Sequence, residues 1–196
     1  MGLTIHYSGS FNPSASLKAM IDEVKDIAEI YKWEYFIFNE EFPPNSLGKT
    51  KYNKNIYGIC FTPPNCETVS LCFLSNGKMS SFSSLKFWGE AKNKTEASYL
   101  YFLFTKTQHA GAETHKLIIH LLKYISKKYL QDFTTIDEGK YWETGDEKLL
   151  EDTFKQYTDM INGFSSSIEN YPIQPGESID DYFKRLLKQL REKNKK

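Results

Sequence analysis

The spacing of apolar and polar positions changes several times along the 196-residue chain, and each change marks an element. Residues 3–7 form a β-branched and aromatic run closed by Ser8-Gly9-Ser10, which predicts a strand and then a turn. Leu17, Met20, Ile21, Val24, Ile27, Ala28 and Tyr31 then recur at three- and four-residue intervals, the period of an amphipathic helix. Ser14 or Ser16 can cap it, and Asp22, Glu23, Lys25, Asp26 and Glu29 supply its solvated face. Over residues 33–42 aromatics dominate and the period shortens, predicting a strand stopped by Pro43-Pro44. A polar loop over 45–55 leads to predicted strands at 56–61 and 68–74. Asn76-Gly77 is a strong hairpin signal, because both residues tolerate positive φ, and a return strand is predicted over 78–82.

The second half opens with a polar connection and then residues 98–105, apolar nearly throughout, which read as a central strand buried on both faces. Leu117, Ile118, Leu121, Leu122 and Ile125 predict a helix, and 133–137 a last short strand. Thr144, with Glu147 three residues on, has the form of a capping box. The helix it opens has Leu150, Phe154, Tyr157, Ile161 and Phe164 as its stripe. A final helix from Ser178 places Ile179, Phe183, Leu186, Leu187 and Leu190 on one face.

This order predicts an α+β fold: a largely antiparallel or mixed sheet of six to seven strands with helices packed on one face. A ferredoxin-like core with inserted strands satisfies it, as do other two-layer sheets. One domain is expected over 1–170, with 171–196 as a C-terminal amphipathic extension beyond the Ser-rich and Pro-rich stretch at 165–176.

Composition narrows the function. Lys and Arg (25) equal Asp and Glu (25), so the net basic footprint of a nucleic-acid binder is missing and no nucleic-acid partner is expected. The basic residues of the last helix (Lys184, Arg185, Lys188, Arg191, Lys193, Lys195, Lys196) suit a solvated helix end, where cations complement the dipole. Cys60, Cys66 and Cys72 lack zinc-site spacing and read as reduced thiols. With no signal peptide and no apolar run long enough to span a bilayer, a cytoplasmic protein is expected. The aromatic share, 15%, is high enough to furnish both a core and a contact surface.

Motifs for common enzyme classes are lacking: there is no phosphate-binding loop, nucleophile elbow, H-E-x-x-H or C-x-x-C. Gly9-Ser10-Phe11-Asn12-Pro13 resembles the turn of adenylyltransferase-type nucleotidyltransferases. The H-x-G-H pair that should follow is replaced by Ser14-Ala15-Ser16-Leu17, so it reads as a helix-capping turn.

The richest stretch is 107–146. If the strands on either side of its helix are parallel neighbours, His109 converges with Asp137 and Glu138 at one sheet edge. Histidine beside carboxylates suits acid–base work or a divalent metal, so these three are the catalytic candidates. His115, Tyr141, Trp142 and Glu143 are the ligand-binding candidates at the same edge. The leading expectation is a binding or interaction domain for a protein or small ligand. The alternative is a small hydrolase- or transferase-like enzyme built on the His/carboxylate cluster.

Overall fold

A computed structural model describes residues 2–193. It is α+β, with seven helices and two three-stranded antiparallel sheets among the described residues. The elements are β1 (Thr4–Phe11), α1 (Leu17–Ile30), β2 (Glu34–Ile37), β3 (Tyr57–Thr62), β4 (Val69–Phe73), α2 (Phe82–Trp88) and α3 (Lys94–Ser98). A 3-10 turn (Tyr99–Tyr101) leads to β5 (Leu103–Lys106), α4 (Gly111–Tyr129), β6 (Leu130–Asp137), α5 (Tyr141–Thr144), α6 (Glu147–Asn170) and α7 (Ile179–Lys193).

The first sheet has the order β5-β1-β6, with β1 antiparallel to both neighbours. The predicted β-α-β crossover therefore exists in split form: β5 and β6 run in the same direction, but β1 lies between them. Ile5 sits opposite Thr105 and Asp137, and His6 opposite Phe104 and Ile136. Because side chains alternate across a sheet, this register sends Ile5, Tyr7, Leu103 and Thr105 inward and leaves His6, Phe104 and Ile136 on the outer face.

Ser8-Gly9-Ser10 is not a turn. β1 runs through it with a bulge between Ser8 and Ser10. A Cβ at Gly9 would stand 3.2 Å from the Phe133 Cα, so glycine lets β6 approach closely.

The second sheet has the order β2-β3-β4. A single sheet of six to seven strands is thus corrected to two smaller ones. The hairpin tip after β4 explains the division. The Phe11 N–H donates to Gly77 O (2.7 Å) and the Met79 N–H to Gly9 O (2.9 Å), so the returning chain docks on the end of β1. The predicted return strand shrinks to bridges at Lys78 and Met79, because Ser81 then caps α2. The run at 98–105 also differs from its reading: it ends α3, turns, and forms β5, whose Phe104 faces outward because no layer covers that side.

Between the layers lie Ile5, Met20, Val24, Ile59, Leu71 and Ile118, all fully buried. The Tyr7 hydroxyl ties the sheets, accepting from Ser70 N (2.8 Å) and donating to Ser70 O (3.2 Å). Burial pushes this phenol up to about 12. The opposite face of the second sheet holds a smaller cluster of Ile56, Cys72, Leu74 and Leu100, partly covered by Leu85 and Trp88 of α2.

Helix α6 starts later than its capping-box reading. Asp146 is the cap, its Oδ1 accepting from Leu149 N at 3.0 Å, while Thr144 Oγ1 accepts from Asp146 N at 3.1 Å. Asp146 immediately precedes the first helical residue, Glu147, and its carboxylate reaches the N–H three residues on, so it takes the capping role.

The chain separates into two compact units within α6, after Phe154. In the second unit, the Ser178 Oγ accepts from Asp181 N (3.2 Å) to open α7, and Arg185 grips both Glu177 oxygens at 2.8 Å. Ile179, Phe183 and Leu187 of the predicted stripe are exposed, whereas Leu186 is buried. Side chains from Leu190 onward, including Arg191, Lys193, Lys195 and Lys196, lie outside the described residues. Among the described residues no helix is long and apolar enough to cross a membrane.

Candidate functional site

The split crossover brings the ends of β5 and β6 to one edge of the first sheet, beside the start of β1. Thr107 follows β5, Asp137 ends β6, and His115 comes from the second turn of the connecting helix α4. Thr107 Oγ1 lies 2.8 Å from His115 Nδ1 and 3.3 Å from Leu3 O. His115 Nε2 lies 3.0 Å from Asp137 Oδ1, close enough for an ion pair though not aligned as a hydrogen bond. The carboxylate also accepts from Gly139 N (2.7 Å) and Trp142 N (2.9 Å), and the Phe154 ring packs edge-on against the imidazole at 5.6 Å.

Burial alone would raise the Asp137 pKa. The adjacent imidazole and the two backbone N–H groups outweigh it and hold the carboxyl below its ordinary 3.8. Thr107, His115 and Asp137 are all buried. A Cβ at Gly139 would lie 3.0 Å from His115 Nε2 and 2.6 Å from Leu150 Cδ1, so the chain packs closely against the imidazole, which is closed to solvent. The arrangement locks β1, β6, α4 and the start of α5 together.

The other candidates separate around this lock. His109 is exposed and makes no hydrogen bond or ion pair among the described residues. Glu138 turns to the far side of Asp137: its Oε2 accepts from Thr4 N (2.8 Å), and its Oε1 is 3.7 Å from His6 Nε2. Tyr141 is buried, its hydroxyl 3.2 Å from His120 Nε2. Trp142 is half-buried against Phe133 and the Lys123 ammonium, at 5.7 and 5.4 Å, and Glu143 is exposed. The structure therefore joins His115 to Asp137 and leaves His109 apart. Among the described residues no group of three or more His, Cys, Asp and Glu is placed to hold a metal ion.

A second location has different chemistry. Between the start of α2 and β5 lies a cleft of about 310 Å³. Phe38, Phe82, Phe102 and Phe104 wall it, and Cys60 and Ser70 lie among its lining residues. The positions follow from alternation: Cys60 and Ser70 face each other across β3 and β4, on the side away from α1.

Three of the rings are open to water, with Phe82 60%, Phe104 56% and Phe102 46% exposed. Neighbouring rings hold them in place. His6 stacks on Phe102 at 5.3 Å and Phe38 stacks on Phe82 at 6.4 Å. The adjacent Cys72 thiol holds Cys60 below the ordinary thiol value, while burial pushes Cys72 up.

The charges are one-sided. Among the described residues Glu67 is the sole charged one lining the cleft, and none of the lining residues is a lysine or an arginine. The Glu67 carboxylate accepts from Lys106 N (3.0 Å), and the Glu67 N–H donates to Lys106 O (3.2 Å). This reciprocal pair fixes the carboxylate at the mouth.

No signal in the sequence marks the cleft, because it joins residues 38, 67, 82 and 104 from separate elements. The His115 environment was more accessible. His115 precedes Ile118, Ile119 and Leu122 by three, four and seven residues, which puts it on the buried stripe of α4.

No protein-family model, curated protein or solved structure matches the chain.

Proposed function

We propose that this protein is a binding module that seats a small, largely apolar molecule in the cleft between α2 and β5. The observation that carries this reading is the convergence of four phenylalanine side chains on one cleft, three of them substantially exposed. The cleft volume, about 310 Å³, falls at the lower end of the range for small-molecule sites. Covering about 100 Å² of apolar surface there contributes roughly 2.5 kcal/mol before the costs of association. The serine and threonine hydroxyls at the rim supply the few polar contacts that orient such a ligand.

Catalysis has weaker support. The best-formed histidine–carboxylate contact is sealed from solvent, and the exposed His109 has no carboxylate partner among the described residues.

A titration of the full chain with phenethyl alcohol, followed by amide chemical shifts, tests the proposal. Saturable shifts are expected at Thr68, Ser81 to Ser84 and Phe102 to Phe104. Phe102→Ala removes a half-exposed ring, so the fold should persist while binding weakens about tenfold, the equivalent of roughly 1.4 kcal/mol. Shifts that never saturate, or that spread over the surface without favouring the cleft, would reject the reading.

A further inference from the structure

We propose that the ligand class selected by this cleft is a cationic amphiphile, an aromatic or alkyl body carrying a protonated amine. This inference rests on the binding reading above and adds the charge of the ligand to it.

Two independent features favour a cation. The first is the ring set. Aromatic faces carry negative electrostatic potential, and an ammonium within about 6 Å of a ring centroid is attracted to it. Phe38, Phe82, Phe102 and Phe104 border the same space. The second is the isolation of Glu67. Its Oε2 is held by Lys106 N, and among the described residues no ammonium or guanidinium pairs with its other oxygen. The Lys106 side chain, whose own backbone N–H holds the Glu67 carboxylate, runs toward Gly2: its Cε would lie 2.5 Å from a Cβ there. A ligand amine seated between the rings and the Glu67 oxygen meets no like charge among the described lining residues.

One feature opposes this. The cleft includes the start of α2, whose N–H groups favour negative charge. That helix has only seven residues, and Ser81 Oγ already occupies Ser84 N at 3.0 Å. A full carboxylate charge outweighs what remains.

Three probes that share a ring and differ in charge decide the matter: phenethylamine, phenethyl alcohol and phenylacetate, titrated into the full chain at neutral pH and low salt. Phenethylamine is expected to bind about fivefold more tightly than the alcohol, the scale of one partly exposed cation–π and ion-pair contact. Phenylacetate should bind most weakly. Glu67→Gln keeps an oxygen for Lys106 N, so on that variant the amine should bind no more tightly than the alcohol. Equal binding of amine and alcohol would overturn the charge selection while the binding module stands. Tighter binding of phenylacetate would overturn it in favour of the α2 N–H groups. Saturable binding of none of the three would remove both proposals.

Discussion

Asp137 uses both carboxylate oxygens on partners that are buried with it: the His115 imidazole and the backbone N–H groups of Gly139 and Trp142. Removing one member of such a pair leaves an uncompensated polar group in the interior. Asp137→Asn or His115→Ala is therefore expected to cost about 3–5 kcal/mol in urea unfolding. The pH dependence has a definite sign. The folded carboxyl is held below its ordinary 3.8, so its contribution is complete above that value and is lost as pH falls through the lower, folded value. Acid unfolding of the wild type should steepen below about pH 4, and the Asp137→Asn variant should lack that component. An identical acid limb in both proteins would mean that Asp137 does not carry it. Residue identity in the sequence marks this region as rich in titratable groups. Which histidine meets the carboxylate depends on a helix turn: His109 precedes α4, and only His115 lies on its inward stripe.

At the scale of elements, glycine positions show how closely the pieces approach. Gly58 has φ +115°, and a Cβ there would stand 2.4 Å from Leu71 O on the neighbouring strand. Gly58→Ala must distort the β3–β4 pairing as well as adopt an unfavourable dihedral. A loss of about 1–3 kcal/mol is expected from the dihedral alone, with more from the clash, measured by thermal unfolding. Elements with strong local signals agree with their sequence reading. The α1 stripe of Leu17, Met20, Ile21 and Val24 is buried, and β3 and β4 fall within a residue or so of the predicted strands. Elements set by distant partners do not. Ser8-Gly9-Ser10 has turn composition but is held in β1 by β6, more than a hundred residues away. The run at 98–105 has the composition of a central strand, yet only its end forms a strand, at the edge of the β5-β1-β6 sheet with Phe104 on the open outer face. Pairing of this kind is decided by tertiary packing, which local periodicity does not encode.

For the whole molecule, the first unit buries its main core between the layers, covers the opposite face of the second sheet only partly with α2, and leaves aromatic side chains uncovered there. The cleft exists because the hairpin tip docks on β1 and directs the chain into α2, which buries none of its own residues and covers the second sheet incompletely. Neither the cleft nor its single carboxylate was legible in the sequence, since their residues meet only after both sheets have formed. The high aromatic content did signal surplus rings, three of which now stand partly exposed around the cleft. The most direct test is a crystal structure of the full chain grown with phenethylamine. The expected result is the probe ring between Phe82 and Phe102, with its amine at the free oxygen of Glu67. Density for the probe elsewhere, with the cleft filled only by water, would contradict the assignment of this cleft as the binding site.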